Sequence, residues 1–250
     1  MSMTNITKLG PSILLVFSIY GLFVAGTPAG GKQDKQEMVA ALKQSIADNQ
    51  AALKQYTWTE TTEVSLKGEV KKREEKECHY GPDGAVEKTP IQSADQAQQQ
   101  QQGGGHHRRN GPLKQTIVEH KKEEMKDYME QVAALVHEYV PPDPHKIQAA
   151  VAAGNAAIQP LPSQGVTLTF KDYLKAGDSL ALGFDPNTKK ILNYNVQSYL
   201  GDSKDDTVTL AVTFASLPDG TSYAQQSVLN APEKNIQVKV TNSGYTKTGK

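Results

Sequence analysis

The chain has 250 residues, with 27 lysines and arginines against 27 aspartates and glutamates, and a single cysteine. Zero formal charge excludes a dedicated nucleic-acid binder, which needs a basic chain or a dense basic face, and one cysteine excludes a small scaffold held by internal disulfides. Apolar residues at 37%, with 20 glycines besides, exclude a wholly disordered chain.

Lys8 precedes an uncharged apolar run from Ile13 to Ala25 that ends in small residues and proline. That order, with a run shorter than the roughly 20 residues of a spanning helix, predicts a secretory signal peptide over residues 1–29. Cleavage after Gly26 or Ala29 fits the small-residue rule. The expected location is periplasmic or secreted, the alternative being a membrane anchor formed by an uncleaved signal.

Met38, Leu42, Ile46 and Leu53 recur at helical spacing through residues 33–55, which contain neither glycine nor proline, and predict an amphipathic helix. From Tyr56 to Leu66 the period becomes two, with Trp58, Thr62, Val64 and Leu66 on one face and threonines and Ser65 on the other, so a strand is expected. Lys67-Gly68 reads as a tight turn, Glu69–Tyr80 as the returning strand, and Ala85–Ile91 as a third strand after Gly81-Pro82-Asp83-Gly84.

Residues 92–112 break the pattern with a glutamine run, three consecutive glycines and His106-His107-Arg108-Arg109. Such polar low complexity buries too little surface to offset its chain entropy, so a disordered insertion is expected. Val118, Met125, Tyr128, Val132, Leu135 and Tyr139 then form a helical stripe that Pro141-Pro142 ends. Asp143 is placed to cap a short alanine-rich helix opening on Pro144. From Gly165 onward, short alternating segments separated by turn residues predict about six antiparallel strands with one apolar face. The expected fold class is α+β: a curved, mainly antiparallel sheet, an unclosed barrel, whose concave face is covered by helices over one domain spanning 33–249.

No serine elbow, phosphate loop or zinc-protease helix occurs, so no catalytic residue, metal ligand or cofactor is assigned. Cys78, alone in a strand, reads as a small core residue. His106 and His107 in a glycine-flanked run supply too few fixed ligands for a metal.

Gln55-Tyr56-Thr57-Trp58-Thr59, the Lys67-Gly68-Glu69 hairpin, Asp172-Tyr173 with Gly177-Asp178, and the unit Leu180-Ala181-Leu182-Gly183-Phe184-Asp185-Pro186-Asn187-Thr188-Lys189-Lys190-Ile191-Leu192 follow the exported N-terminus in order. With that order of elements the chain resembles the outer-membrane lipoprotein carrier superfamily, the LolA-like fold, over roughly residues 35–249. The resemblance implies an open barrel whose apolar concave face, lidded by helices, takes up lipid or lipoprotein acyl chains. It implies Trp58, Val64, Leu66, Leu168, Phe170, Leu182, Phe184, Tyr194 and Phe214 as ligand-binding side chains. The alternative is a filled core in a structural or regulatory cell-envelope domain that meets a protein partner. Expected partners are lipid, a lipidated protein or an envelope protein, with no nucleic acid, and the chain is expected to be a monomer. Loss of the signal leaves 26 cations against 27 acids, so apolar surface rather than charge is the expected means of binding.

Overall fold

The computed structural model describes residues 30–91, 112–161, 165–202 and 204–248. The signal segment and nearly all of the glutamine-rich insertion, through Gly111, lie outside the described residues. Helix α1 (Gly30–Leu53) leads into β1 (Tyr56–Leu66), β2 (Glu69–Tyr80) and β3 (Val86–Pro90). Helices α2 (Pro112–His137) and α3 (Pro144–Ala152) follow, then β4 (Ala156–Leu161), β5 (Gly165–Lys171), β6 (Ser179–Asp185), β7 (Lys190–Tyr199), β8 (Thr207–Ser216), β9 (Ser222–Ala231) and β10 (Ile236–Lys247).

All ten strands form one open antiparallel sheet in the order β3-β2-β1-β10-β9-β8-β7-β6-β5-β4. The α+β expectation therefore holds, and the sheet is not closed into a barrel. β1 joins the carboxy-terminal strand, with Val64 opposite Val238, so the first three strands are stitched to the last seven. Two differences from the sequence reading concern elements. Pro112 is already helical rather than part of the insertion, and β4 adds a strand where only a connection was expected. Pro160 and the unbroken apolar start of Ala156-Ala157-Ile158 hide the alternation that marks a strand.

Local chemistry explains the boundaries. Lys67 at φ +55° and Gly68 at φ +80° form the left-handed pair that matches the twist of a two-residue hairpin. Asp143 caps α3, its carboxylate accepting from His145 N at 2.7 Å, with proline in the first turn.

The register builds two apolar rows across the sheet. One runs Val64, Val238, Leu229, Leu210, Val196, Leu180, Phe170, Ala156. The next runs Thr62, Val240, Ser227, Val212, Tyr194, Leu182, Leu168, Ile158. Over β4–β9 these rows pack under Val39 and Leu42 of α1, Leu135 and Val136 of α2, and Ile147 and Ala150 of α3. A second cluster joins Tyr128 and Val132 of α2 to Val208, Ala231 and Ile236, with Leu66 at its side.

Candidate functional site

The nine expected ligand-binding side chains do not form one surface. Leu168, Phe170, Leu182, Phe184 and Tyr194 lie together in the main core, and Leu182 and Phe184 have no exposed surface at all. Phe214 packs against their edge. Leu66 belongs to the second cluster, under α2. Val64 is half-buried and belongs to neither cluster. Trp58 sits in a separate aromatic group, stacked on Tyr245 at 5.5 Å between ring centroids and tilted against Tyr80 at 5.5 Å. Tyr223 closes on Tyr245 at 4.4 Å.

The concave face thus has two parts. Beneath the helices it is filled by the chain's own side chains. On β10, β1 and β2 the same rows emerge from the packed core: Val238 still packs against the second cluster, Thr62, Val64 and Val240 are half-buried, and β2 ends the face with charge. There Lys72 and Lys76 approach Glu74 at 2.7 and 3.4 Å, and Lys88 from β3 bonds both oxygens of Glu60 at 2.7 and 2.8 Å. Burial works against the Glu74 charge, but the two lysines outweigh it and hold the carboxyl below its ordinary value. A shallow depression of about 270 Å³ lies at the hairpin tips, lined by Ser65, Lys67, Gly68, Asn235, Ile236 and Gln237. None of its lining residues is one of the nine expected side chains.

What fastens the helices to the sheet was not visible in the sequence. Tyr139, just past α2, has no exposed surface. Its hydroxyl donates to the Asp178 carboxylate and lies 2.8 Å from Ser198 Oγ, and its carbonyl accepts from the Tyr194 hydroxyl. Asp178, 3% exposed, also accepts from the backbone of Tyr173, Leu174 and Lys175 at 2.6, 3.0 and 2.9 Å. Asp143 N donates to the Tyr173 hydroxyl at 2.7 Å. Burial pushes the Tyr173 phenol up to about 12 and raises Tyr139 and Tyr194 as well. A buried carboxylate with this many donors is a structural fastening. The sequence marked Gly177-Asp178 only as a turn, and its partners, Tyr139 and the backbone of Tyr173, Leu174 and Lys175, had no sequence signature.

A second fastening lies at the far end of α1. Asn49 exchanges two 2.7 Å hydrogen bonds with the backbone of Ser222. The turn before Ser222 is held by Asp219, which accepts from the Tyr56 hydroxyl at 2.5 Å and from Thr221 N at 3.0 Å and pairs with Lys247 at 2.9 Å. The bond from Tyr56, then Lys247 and Thr221, hold the Asp219 carboxyl well below the usual carboxylate range.

Cys78 is fully buried, and burial pushes its thiol up to about 11, the behaviour of a core residue rather than a nucleophile. His106 and His107 lie outside the described residues. Among the described residues, no three His, Cys, Asp or Glu side chains gather as a metal site, and no helix is long and apolar enough to cross a membrane.

No protein-family model matches the chain, and no curated protein matches it. One solved structure is weakly similar. It is the crystal structure of a DUF1329 family protein from Desulfovibrio piger ATCC 29098, at 10% identity and a TM-score of 0.38, covering 86% of this chain and 92% of that chain.

Proposed function

We propose that this is an exported, non-catalytic binding protein that holds a hydrophobic ligand, a lipid or a lipoprotein acyl chain, between its curved sheet and the margin of its helices. The observation that carries the reading is the pair of rows that continue past the helix-packed core onto β10 and β1, where Thr62, Val64 and Val240 stay half-buried. Apolar surface left at the margin of a core is where a non-polar ligand gains most from leaving water. The LolA-like resemblance of the sequence supports the same ligand class.

The full burial of Leu42, Leu180, Leu182 and Phe184 favours a second reading: an envelope interaction domain with a filled core and no small ligand. Native mass spectrometry of the purified chain and titration of Trp58 fluorescence with oleic acid separate the two. Co-purified lipid and a saturable change in emission are expected for the carrier. No bound lipid together with flat emission would sink it and leave the interaction domain.

A further inference from the structure

The strand register sorts the charges of the wing by face, because residues directly opposite each other in an antiparallel sheet share a side. Across the rows from Trp58 to Val64, the concave side holds Lys72, Lys76 and, from β3, Lys88 against Glu60 and Glu74. The convex side of the same rows holds Arg73 and Lys239 against Glu63, Glu75 and Glu77. One face therefore carries a surplus cation and the other a surplus acid, although acids and bases balance along β2 itself.

The concave surplus is local. Lys88 gives two hydrogen bonds to Glu60, at 2.7 and 2.8 Å, and completes that pair. Glu74 then serves both Lys72, at 2.7 Å, and Lys76, at 3.4 Å. An ammonium has three N–H groups, so two of them around one carboxylate leave donors and a positive charge for a further anion. Lys76 is only 18% exposed, its stem lying along the sheet with the charged end at the surface.

These lysines border the half-buried strip. Lys72 stands opposite Val64 and Glu74 opposite Thr62, while Val240 faces Thr62 from β10. Val64 and Val240 belong to neither packed cluster. The strip lies on neighbouring strands about 5 Å apart, the width of one acyl chain rather than two. An apolar strip one chain wide with a surplus ammonium at its border is complementary to an amphiphile with one tail and one negative charge.

We infer, on the basis of the carrier reading above, that the ligand is a single-chain carboxylate, its tail over Thr62, Val64 and Val240 and its head group between Lys72 and Lys76. The tail supplies the affinity, and the lysines select the head.

Isothermal titration calorimetry of the full chain with decanoate, 1-decanol, decyltrimethylammonium and decyl phosphate tests this, since the tails are nearly equal and the heads differ. Decanoate is expected to bind about tenfold tighter than decanol, the low end of what charge-assisted hydrogen bonds supply, because the site is partly exposed. Replacing both Lys72→Gln and Lys76→Gln should bring decanoate down to the level of decanol. Lys239→Gln, on the convex face, should keep the wild-type preference. Glu74→Gln should tighten decanoate about threefold, because it releases ammonium groups for the ligand, a gain that a merely structural ion pair would not give.

Equal binding of decanoate and decanol would overturn the head-group assignment and leave the carrier reading standing. A preference for decyltrimethylammonium, tighter binding of decyl phosphate than of decanoate, or no gain in Glu74→Gln would overturn it likewise. Binding of none of the four would remove the carrier reading and the carboxylate with it.

Discussion

The part of the sheet packed under the helices, β4–β9 with Ile236 and Val238 of β10 and Leu66 of β1, and the wing formed by the rest of β10, β1, β2 and β3 share the same hydrogen-bonded rows, yet they are stabilised by different physics. Under the helices, Leu168, Phe170, Leu180, Leu182 and Phe184 are between 0 and 3% exposed, and stability there comes from area removed from water. On the wing the row that ends in Val64 meets Lys72, and the row that ends in Thr62 meets Glu74. Partly exposed ion pairs of that kind contribute little each. The wing is anchored instead by the pairing of β10 with β9 and by Tyr223 of β9 closing on Tyr245 in the Trp58 aromatic group. Continuous backbone pairing therefore does not imply uniform stability: a ladder can run from a dense core into a surface where side chains add little.

The largest expected effect lies in the packed part. Phe184→Ala should cost about 3–5 kcal/mol by denaturant unfolding, as a fully buried aromatic leaves a cavity that close neighbours cannot fill. Val64→Ala, in the same kind of row on the wing, should cost about 1 kcal/mol or less. Equal losses at the two sites would erase the contrast between the regions.

Next comes the fastening between helices and sheet. Tyr139→Phe removes the hydroxyl from Asp178 and Ser198 and should cost about 1–3 kcal/mol, because the buried carboxylate loses a donor. Unfolding that is unchanged in this variant would show that the helices are held by apolar packing alone.

The α1 end should be the pH-sensitive part. The folded-state pKa of Asp219 lies below its unfolded value, so the stabilisation it provides is complete above the unfolded range near about 3.9 and fades as pH falls through the folded pKa. Asp219→Asn should therefore be less stable than wild type at neutral pH, with the gap closing in strong acid. A gap that stays constant with pH would show that the carboxylate charge does not matter there.

The smallest effect is expected on the charged face of β2. Glu74→Gln should change stability by less than about 1 kcal/mol, and added salt should shrink the change further.

The sequence made the elements readable. Met38, Leu42 and Ile46 at helical spacing marked α1, and Leu42 is indeed fully buried while the other two pack against the same core. Alternation marked β1 and β5–β10, and Lys67-Gly68 marked its hairpin. Asp143 and Pro144 marked the start of α3. β4 escaped because a rim strand with a proline lacks the two-residue period. The division of the nine expected side chains escaped as well: alternation shows that Val64, Leu182 and Phe214 each point to an apolar face, but not which stretch of that face a helix covers. The Tyr139–Asp178 and Asp219 fastenings join residues 39 and 163 positions apart and leave no periodic trace.

By itself, then, the sequence determined the kinds of element, their order, the face each strand buries and the class α+β, because these follow from side-chain periodicity and turn chemistry within a few residues. Only the tertiary structure decided that β1 closes on β10 and that the concave face is packed under the helices and half-buried on the wing. Register, burial and hydrogen-bonding phase depend on partners far along the chain, and no local pattern specifies them.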